Sequence, residues 1–227
     1  MKNVRRRFLK VAGLGGLGAA LGRGLARGAE GDSPTPVSEK LMLEHAVVHR
    51  MLLVFDEAAD RLEAGEGLPD AVGSSAAIVD QFIENYHEEL EEKLIFPALE
   101  RHEEHGEMVE ELRRQHKKGR QLTAQAYQLL GGGDEQEEPT RGRLIDTFRT
   151  YTRMYRAHAS WEDTTAFSAL REVMGADQFR QVSGNIGTVR RDILGTDGLE
   201  QTLKRRAGVE KALGIDTLTV YTRRAIS

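Results

Sequence analysis

The 227-residue chain contains no cysteine and only five prolines. The absence of cysteine excludes disulfides, thiolate metal ligands and a cysteine nucleophile. With so few prolines, long helices meet few interruptions. The content of 39% hydrophobic and 30% charged residues is ordinary for a soluble helical protein, and the length is sufficient for one sizeable core.

The N-terminal region lacks an apolar run long enough to cross a bilayer. The run from Val11 to Gly22 is about half of the ~20 residues that a transmembrane helix requires, and its glycines weaken it further. We therefore expect no permanent membrane span. Arg5-Arg6-Arg7-Phe8-Leu9-Lys10 stands directly before this run, and together they resemble a twin-arginine signal peptide over residues 1–30. The resemblance implies recognition by the twin-arginine export machinery and a periplasmic or otherwise exported location in a bacterium.

Positive charge is scarce in the rest of the chain. Residues 1–28 hold seven of the 32 Lys and Arg and none of the 36 Asp and Glu, so the remainder carries a formal net charge of −11. Such a surface is a poor partner for nucleic acid, and we expect none.

One spacing occurs twice after the N-terminal segment. The separation between His45 and His87 equals the separation between His116 and His158. The second pair therefore repeats the first at a fixed offset. This offset, which we call the period, is the number of residues from His45 to His116. The same period relates other identical residues: Leu41 with Leu112, Glu91 with Glu162, Phe96 with Phe167, and Leu99 with Leu170. An internal repeat constrains the architecture strongly, and here the repeated unit is a helical hairpin.

Apolar residues spaced by three and four predict four long amphipathic helices, over residues 38–62, 70–101, 107–130 and 140–174. The short connections between them favour antiparallel neighbours. The predicted fold is therefore all-α, an up-down-up-down four-helix bundle with a C-terminal helical extension. The expected boundaries are a signal peptide at 1–30, a linker at 31–37, the bundle at 38–174 and the extension at 175–227, which we expect to pack against the bundle.

The candidate chemistry lies on the inner faces of these helices. The second and fourth helices each carry a histidine followed four residues later by a glutamate, a spacing that brings the two side chains together. The first and third helices each carry one histidine on an apolar face. A lone histidine there is more often a hydrogen-bonded core residue, but buried unpaired charges cost several kcal/mol each, and a metal ion removes that cost. The predicted metal ligands are His45, His87, Glu91, His116, His158 and Glu162.

The sequence around these residues resembles the hemerythrin-like (HHE cation-binding) family over about residues 38–172. The matching segments are Leu43-Glu44-His45, Tyr86-His87-Glu88-Glu89-Leu90-Glu91-Glu92, Phe96-Pro97, Gln115-His116 and His158-Ala159-Ser160-Trp161-Glu162-Asp163. The resemblance implies a four-helix bundle that holds two iron ions in a non-haem di-iron centre, ahead of zinc or manganese. It also implies binding of oxygen or nitric oxide, iron or oxygen sensing, or the handling of peroxide.

The third helix departs from the family pattern. Hemerythrin proper carries a second histidine four residues after the first, and here that position is Arg120. The departure puts oxygen carriage in question. His49, four residues after His45 and one period before Arg120, is a possible substitute for the missing imidazole; a solvent-facing His49 is the alternative.

Several further residues are candidates for the site. Glu88 adjoins His87 and is a candidate ligand. The family's oxygen carriers take their acid five residues after the fourth-helix histidine, which matches Asp163, although helix geometry favours Glu162. In an ideal helix Asp163, like Glu92, points about 140° away from its histidine and is expected behind the ligands or at the surface. Tyr151 and Tyr155 are candidates for the pocket lining, with core packing as the alternative.

Two classes of function fit these residues. The first is an exported di-iron protein that binds oxygen, nitric oxide or a related small ligand. The second is a di-iron oxidase, peroxidase or ferroxidase-type enzyme that uses oxygen or peroxide at the same centre. A mononuclear zinc or structural metal site is a third interpretation. The sequence assigns no catalytic residue beyond the metal ligands.

Overall fold

The computed structural model describes residues 35–132 and 135–224. The predicted signal peptide at 1–30 lies outside the described residues. Within them there is no strand, and the predicted all-α fold is confirmed. No helix in the described part of the chain is long and apolar enough to cross a membrane.

Eight α-helices and three π-helical segments make up this region. The α-helices are α1 (Val37–Glu63), α2 (Ala71–Ile78), α3 (Phe96–Leu99), α4 (Glu103–Gly132), α5 (Thr140–Trp161), α6 (Phe167–Leu194), α7 (Gly198–Leu213) and α8 (Thr219–Arg224). The π-helical segments are π1 (Val79–Glu88), π2 (Glu91–Ile95) and π3 (Glu162–Ala166). The chain from α2 to α3 forms the second bundle helix, and α5, π3 and the start of α6 form the fourth.

The first bundle helix shows why these segments are helical. In α1, Leu41, Val48, Leu52 and Phe55 recur on one face, and each is at most 2% exposed. Burial of a side chain of this size contributes about 1.5–3 kcal/mol. The chain leaves the helix at Gly65, whose φ of 73° is a left-handed conformation that glycine adopts without a steric cost.

Aromatic packing joins the first and fourth bundle helices. Phe55 of α1 stacks on Phe148 of α5 with ring centroids 5.0 Å apart, and it meets Tyr151 edge-on at 5.2 Å. Helix α5 also packs against α4. These contacts place the inner faces of the bundle helices around one core.

The C-terminal extension is docked onto the bundle. Gly175, with φ of 71°, kinks α6 at the point where the sequence predicts a new segment. Helix α7 then packs on α1 and α2. The Oγ of Ser183 accepts a hydrogen bond of 2.9 Å from the backbone N–H of Val37, and Arg50 donates two hydrogen bonds, of 2.6 and 2.7 Å, to Glu210 of α7.

Candidate metal centre

The six predicted ligands meet in the middle of the bundle. Each of the four bundle helices contributes a histidine, and the second and fourth also contribute a glutamate. All six side chains are between 0 and 3% exposed. They are His45, His87, Glu91, His116, His158 and Glu162.

The histidines form two pairs, one for each hairpin. The rings of His45 and His87 lie 4.9 Å apart by centroid, and those of His116 and His158 lie 4.8 Å apart. In the second pair the two Nε2 atoms face each other at 3.1 Å. Each hairpin therefore presents two ring nitrogens that converge on one region.

The two glutamates connect these pairs. One oxygen of Glu91 lies 3.2 Å from Nε2 of His87, and the other lies 3.5 Å from Nε2 of His116. Oε2 of Glu162 lies 3.3 Å from Nε2 of His45 and 3.1 Å from Nε2 of His158. Each carboxylate thus contacts one histidine from each hairpin, which is the arrangement required of a bridging ligand.

The outward-facing nitrogen of every histidine is hydrogen-bonded. Because each partner offers an oxygen acceptor, Nδ1 of each ring donates to it, and Nε2 faces the centre of the cluster. The contacts are His45 with Asp163 at 2.8 Å, His87 with Glu44 at 3.1 Å, His116 with Glu92 at 3.0 Å and His158 with Gln115 at 3.0 Å. All four rings are therefore oriented with a metal-binding nitrogen inward.

These outer partners obey the same repeat as the ligands. Glu44 and Gln115 are separated by one period, and so are Glu92 and Asp163. Sequence reasoning placed Glu92 and Asp163 behind the ligands or at the surface but missed Glu44 and Gln115. The period applied to the residue before His45 would have identified this pair.

The helix geometry departs from the ideal at the two glutamates. Segment π2 begins at Glu91, and π3 begins at Glu162, again one period apart. A π turn inserts an extra residue into the helix and is frequently found at functional sites. The residues that follow, Glu92 and Asp163, each reach the outer nitrogen of a histidine of the other hairpin.

The charges in this cluster are poorly compensated by the protein alone. Burial, reinforced by the charge of Glu162, raises the pKa of Glu91 well above its usual range. Burial also favours neutral Glu162, but its contacts with His158 and His45 outweigh that effect and hold its pKa well below the usual range. For His45, burial opposes protonation, yet the hydrogen bond to Asp163 and the nearby carboxylate of Glu162 raise its pKa to about 9. The two acids therefore cannot both be charged at low cost without further positive charge.

The fit of a metal ion rests on buried atoms without a hydrogen bond. Among the described residues these include Nε2 of His87 and all four carboxylate oxygens of Glu91 and Glu162. Leaving such groups unpaired costs about 1–3 kcal/mol each. Imidazole and carboxylate are ligands of iron, zinc and manganese, and a cation would satisfy these atoms together. The donor set therefore suits two cations, one beside each histidine pair.

A small cavity adjoins the cluster. Its volume is about 10 Å³, and its walls include Val48, Ile83, Tyr155 and Ala159 besides the histidines. A cavity of this size holds about one water molecule. The space between the candidate ligands is therefore too small for an organic ligand.

The additional candidate residues occupy different positions relative to the cluster. Glu88 is 1% exposed, lines the cavity and accepts a hydrogen bond of 2.5 Å from the hydroxyl of Tyr155. His49 is exposed, with its ring 6.2 Å from that of His45. Asp163 binds the outer nitrogen of His45 and faces away from the cluster. Tyr155 lines the cavity, whereas Tyr151 stacks behind it with ring centroids 4.3 Å apart, within the core.

Arg120 stands at the position of the absent fifth histidine and packs beside Glu88 and Glu92. Its guanidinium lies 2.7 Å from Glu88 and 2.8 Å from Glu92. Burial opposes ionisation of Glu88 more than Arg120 and Tyr155 favour it, so its pKa rises to about 8. Tyr155 needs the space left by Gly119, because a Cβ there would lie 2.2 Å from the tyrosine oxygen.

A four-helix bundle with buried histidines and shared carboxylates defines a class of cation-binding proteins. The family model of the hemerythrin HHE cation-binding domain matches residues 37–193, and the chain belongs to that family. The match extends beyond the predicted bundle into the second part of α6. It supports cation binding as the function of the cluster.

Relatives of similar length occur in mycobacteria. The chain is 36% identical over 194 residues to the uncharacterized protein Mb2018 of Mycobacterium bovis and to the uncharacterized proteins MT2051 and Rv1995 of Mycobacterium tuberculosis. The alignment covers 85% of this chain and 76% of each relative. No solved structure gives a significant match.

Proposed function

We propose that the protein binds two iron ions at this centre and uses them to hold a small ligand such as oxygen or nitric oxide. The observation that carries the proposal is the pairing of the histidines. Each hairpin supplies two inward nitrogens, and Glu91 and Glu162 are shared between the hairpins. His45 and His87 would hold one ion, and His116 and His158 the other. When bound, iron supplies redox chemistry and an electrophilic site for the ligand.

The protein's own residues orient the histidine rings and exclude water from the site. The outer hydrogen bonds fix each ring, and such partners typically affect metal affinity by 10- to 100-fold. Val48, Ile83 and Ala159 are apolar walls that keep bulk water from the cavity. The small volume of this cavity, about 10 Å³, leaves no room for an organic ligand.

The experiment is a ligand titration of the iron-loaded protein. We expect close to two iron ions per chain by elemental analysis, and a change in the optical spectrum on addition of nitric oxide to the reduced protein. A protein that carries zinc after purification and does not take up iron would contradict the proposal, as would an iron-loaded protein whose spectrum nitric oxide leaves unchanged.

We also propose that the chain is exported by the twin-arginine pathway. The support is the sequence Arg5-Arg6-Arg7-Phe8-Leu9-Lys10 followed by an apolar run. This pathway moves folded proteins, so the metal would be inserted before export. Arg5→Lys combined with Arg6→Lys should retain a metal-loaded protein in the cytoplasm, measured by cell fractionation. Unimpaired export of that variant would refute the proposal.

A second candidate is an enzyme that reduces oxygen or peroxide at the same centre. The observation that favours it is the polar group beside the cavity, where the O–H of Tyr155 is held by Glu88, which Arg120 contacts in turn. A hydroxyl beside the ligand can donate a hydrogen bond or a proton to it. Peroxide consumption by the iron-loaded protein that falls in Tyr155→Phe, with unchanged iron content, would favour the enzyme. An iron-loaded parent protein that consumes no peroxide would leave ligand binding as the function.

A further inference from the structure

A groove on the opposite side of α1 has the features of a second binding site. It has a volume of about 400 Å³ and lies between α1 and the C-terminal extension. Small-molecule sites in proteins typically occupy about 300–1,000 Å³. The groove is therefore large enough for an organic ligand, unlike the cavity at the candidate metal centre.

The floor of the groove is apolar. It is formed by Leu43, Ala46 and Val47 of α1 and by Leu199 and Leu203 of α7. Leu43 is 69% exposed and Leu203 is 40% exposed, and both are among the few large hydrophobic side chains that the described region exposes. An apolar surface concentrated in a groove indicates a binding site more strongly than isolated exposed residues do.

Four cations surround this floor, namely Lys40, Arg50, Arg190 and Arg206. The two acids near them are Glu44 and Glu210, so the groove has an excess of positive charge. The rest of the chain beyond residue 28 has a formal net charge of −11. The sign of the groove is therefore opposite to that of the protein as a whole.

The cations at the two ends of the groove differ in their partners. Arg50 and Arg206 both donate hydrogen bonds to Glu210, at distances from 2.6 to 3.2 Å. At the other end Arg190 lies 3.8 Å from the nearest oxygen of Glu44, which is too far for a hydrogen bond. That oxygen and its neighbour already accept hydrogen bonds from Tyr86 and His87. Glu44 therefore forms an ion pair with Arg190 but accepts no hydrogen bond from it.

Lys40 stands beside Arg190 at this end. Its ammonium group donates to the backbone oxygen of Ser183 at 2.7 Å, a partner without charge. Burial, followed by the charge of Arg190, lowers the pKa of Lys40. The charge of Glu44 offsets these effects only in part, so a bound anion would relieve the remaining repulsion between the two cations.

We propose that the groove binds the anion of a medium-chain fatty acid, with its carboxylate on Lys40 and Arg190 and its chain along Leu43, Val47 and Leu203. From Lys40 to Arg50 the helix rises roughly 15 Å, which is comparable to the length of an extended decanoate. A carboxylate suits a guanidinium that has free donors, and the apolar floor suits the hydrocarbon chain. The N-terminal segment is an unsuitable occupant because residues 1–28 are basic and would be repelled.

The test is calorimetric titration of the full-length protein with three probes that share parts of the ligand. Decanoate has both chain and carboxylate, acetate has no chain, and decyltrimethylammonium has the same chain with a positive head. We expect only decanoate to bind, with one molecule per chain. Lys40→Gln combined with Arg190→Gln should weaken decanoate binding at least tenfold, whereas Lys118→Gln combined with Arg180→Gln, which removes the same charge from exposed positions elsewhere, should not.

A second variant tests the floor of the groove. Leu43→Ser changes an exposed side chain and should preserve the fold, checked by circular dichroism, while it weakens decanoate binding. Equal binding of decanoate by the parent and the double cation variant would overturn the proposal. Equal binding of decyltrimethylammonium would also overturn it. So would sedimentation that shows decanoate dissociating a dimer, because the groove would then be covered by a second copy of the chain.

Discussion

The two hairpins of the bundle carry the same inward-facing donors but different outer partners. Nδ1 of His87 is bonded to the carboxylate of Glu44, whereas Nδ1 of His158 is bonded to the amide of Gln115. Glu44 in turn lies near Arg190 of the C-terminal extension. A charged partner makes an imidazole a stronger electron donor than a neutral partner does. The two donor sets of this near-symmetric centre are therefore inequivalent.

Removal of one inner imidazole from either half is expected to have the largest effect. His87→Ala and His158→Ala each remove a nitrogen that no neighbouring side chain replaces. We expect metal affinity to fall by more than the ~100-fold that loss of an outer partner can cost. Metal content after dialysis, measured by elemental analysis, checks this.

Two histidines near the junction between α3 and α4 provide the control for these variants. His102 is exposed and His105 is partly exposed, and neither belongs to the cluster. His102→Ala and His105→Ala should retain the metal content of the parent. Equal metal content in all four alanine variants would mean that the cluster is not the metal site.

Exchange of the outer partners tests the difference between the halves directly. Glu44→Gln keeps an acceptor for His87 but removes the charge, and we expect about tenfold weaker metal binding. Gln115→Glu adds a charge behind His158 and should make the iron harder to reduce, seen as a lower reduction potential. Glu39→Gln, an exposed change on α1, is the control. The reduction potential should therefore rise in Glu44→Gln and fall in Gln115→Glu. A reduction potential that shifts in the same direction in both variants would contradict the proposed inequivalence.

Gly119 and Val48 are one period apart, so the two halves of the bundle also differ at this position. Gly119→Ala would place a Cβ 2.2 Å from the hydroxyl of Tyr155, so we expect a loss of about 1–3 kcal/mol in the free energy of unfolding. Gly106→Ala, in the same helix and with no neighbour within 4 Å, should stabilise the protein by up to about 1 kcal/mol. Denaturant unfolding of both variants checks the prediction, which fails if the two changes are equal.

The smallest effect is expected at the position that matches Arg120 in the first half. His49→Ala removes an exposed ring that lies 6.2 Å from that of His45 and belongs to none of the candidate ligand groups, so metal content should be unchanged and stability should change by no more than about 0.5 kcal/mol. A loss of one metal ion from this variant would instead identify His49 as a ligand.

The repeat explains why much of the centre was predictable from the sequence. The shared period brought six buried residues into register, and the spacing of apolar residues gave helix boundaries close to those of α1 and α4. The same period would have identified Glu44 and Gln115, because each precedes a histidine in the first or third bundle helix. Tyr155 was a candidate for the lining of the cavity, but the sequence did not indicate that its ring needs the space left by Gly119.

Other features depend on contacts that no local pattern encodes. The π turns at Glu91 and Glu162 break the regular helical period, and the pattern of a single helix does not tell which histidine Glu92 and Asp163 reach. The pairing of Arg50 with Glu210 joins residues 160 positions apart, and it shapes the groove that the extension forms with α1. Such long-range packing is decided by the whole fold.

The central claim is that two metal ions lie between the hairpins, one beside each histidine pair. Anomalous diffraction at the iron edge from crystals of the iron-loaded protein tests it most directly. We predict two peaks within bonding distance of the Nε2 atoms, one at His45 and His87 and one at His116 and His158, with Glu91 and Glu162 between them. A single peak, or a peak held instead by the separate group of Glu88, Glu92 and His116, would contradict the account.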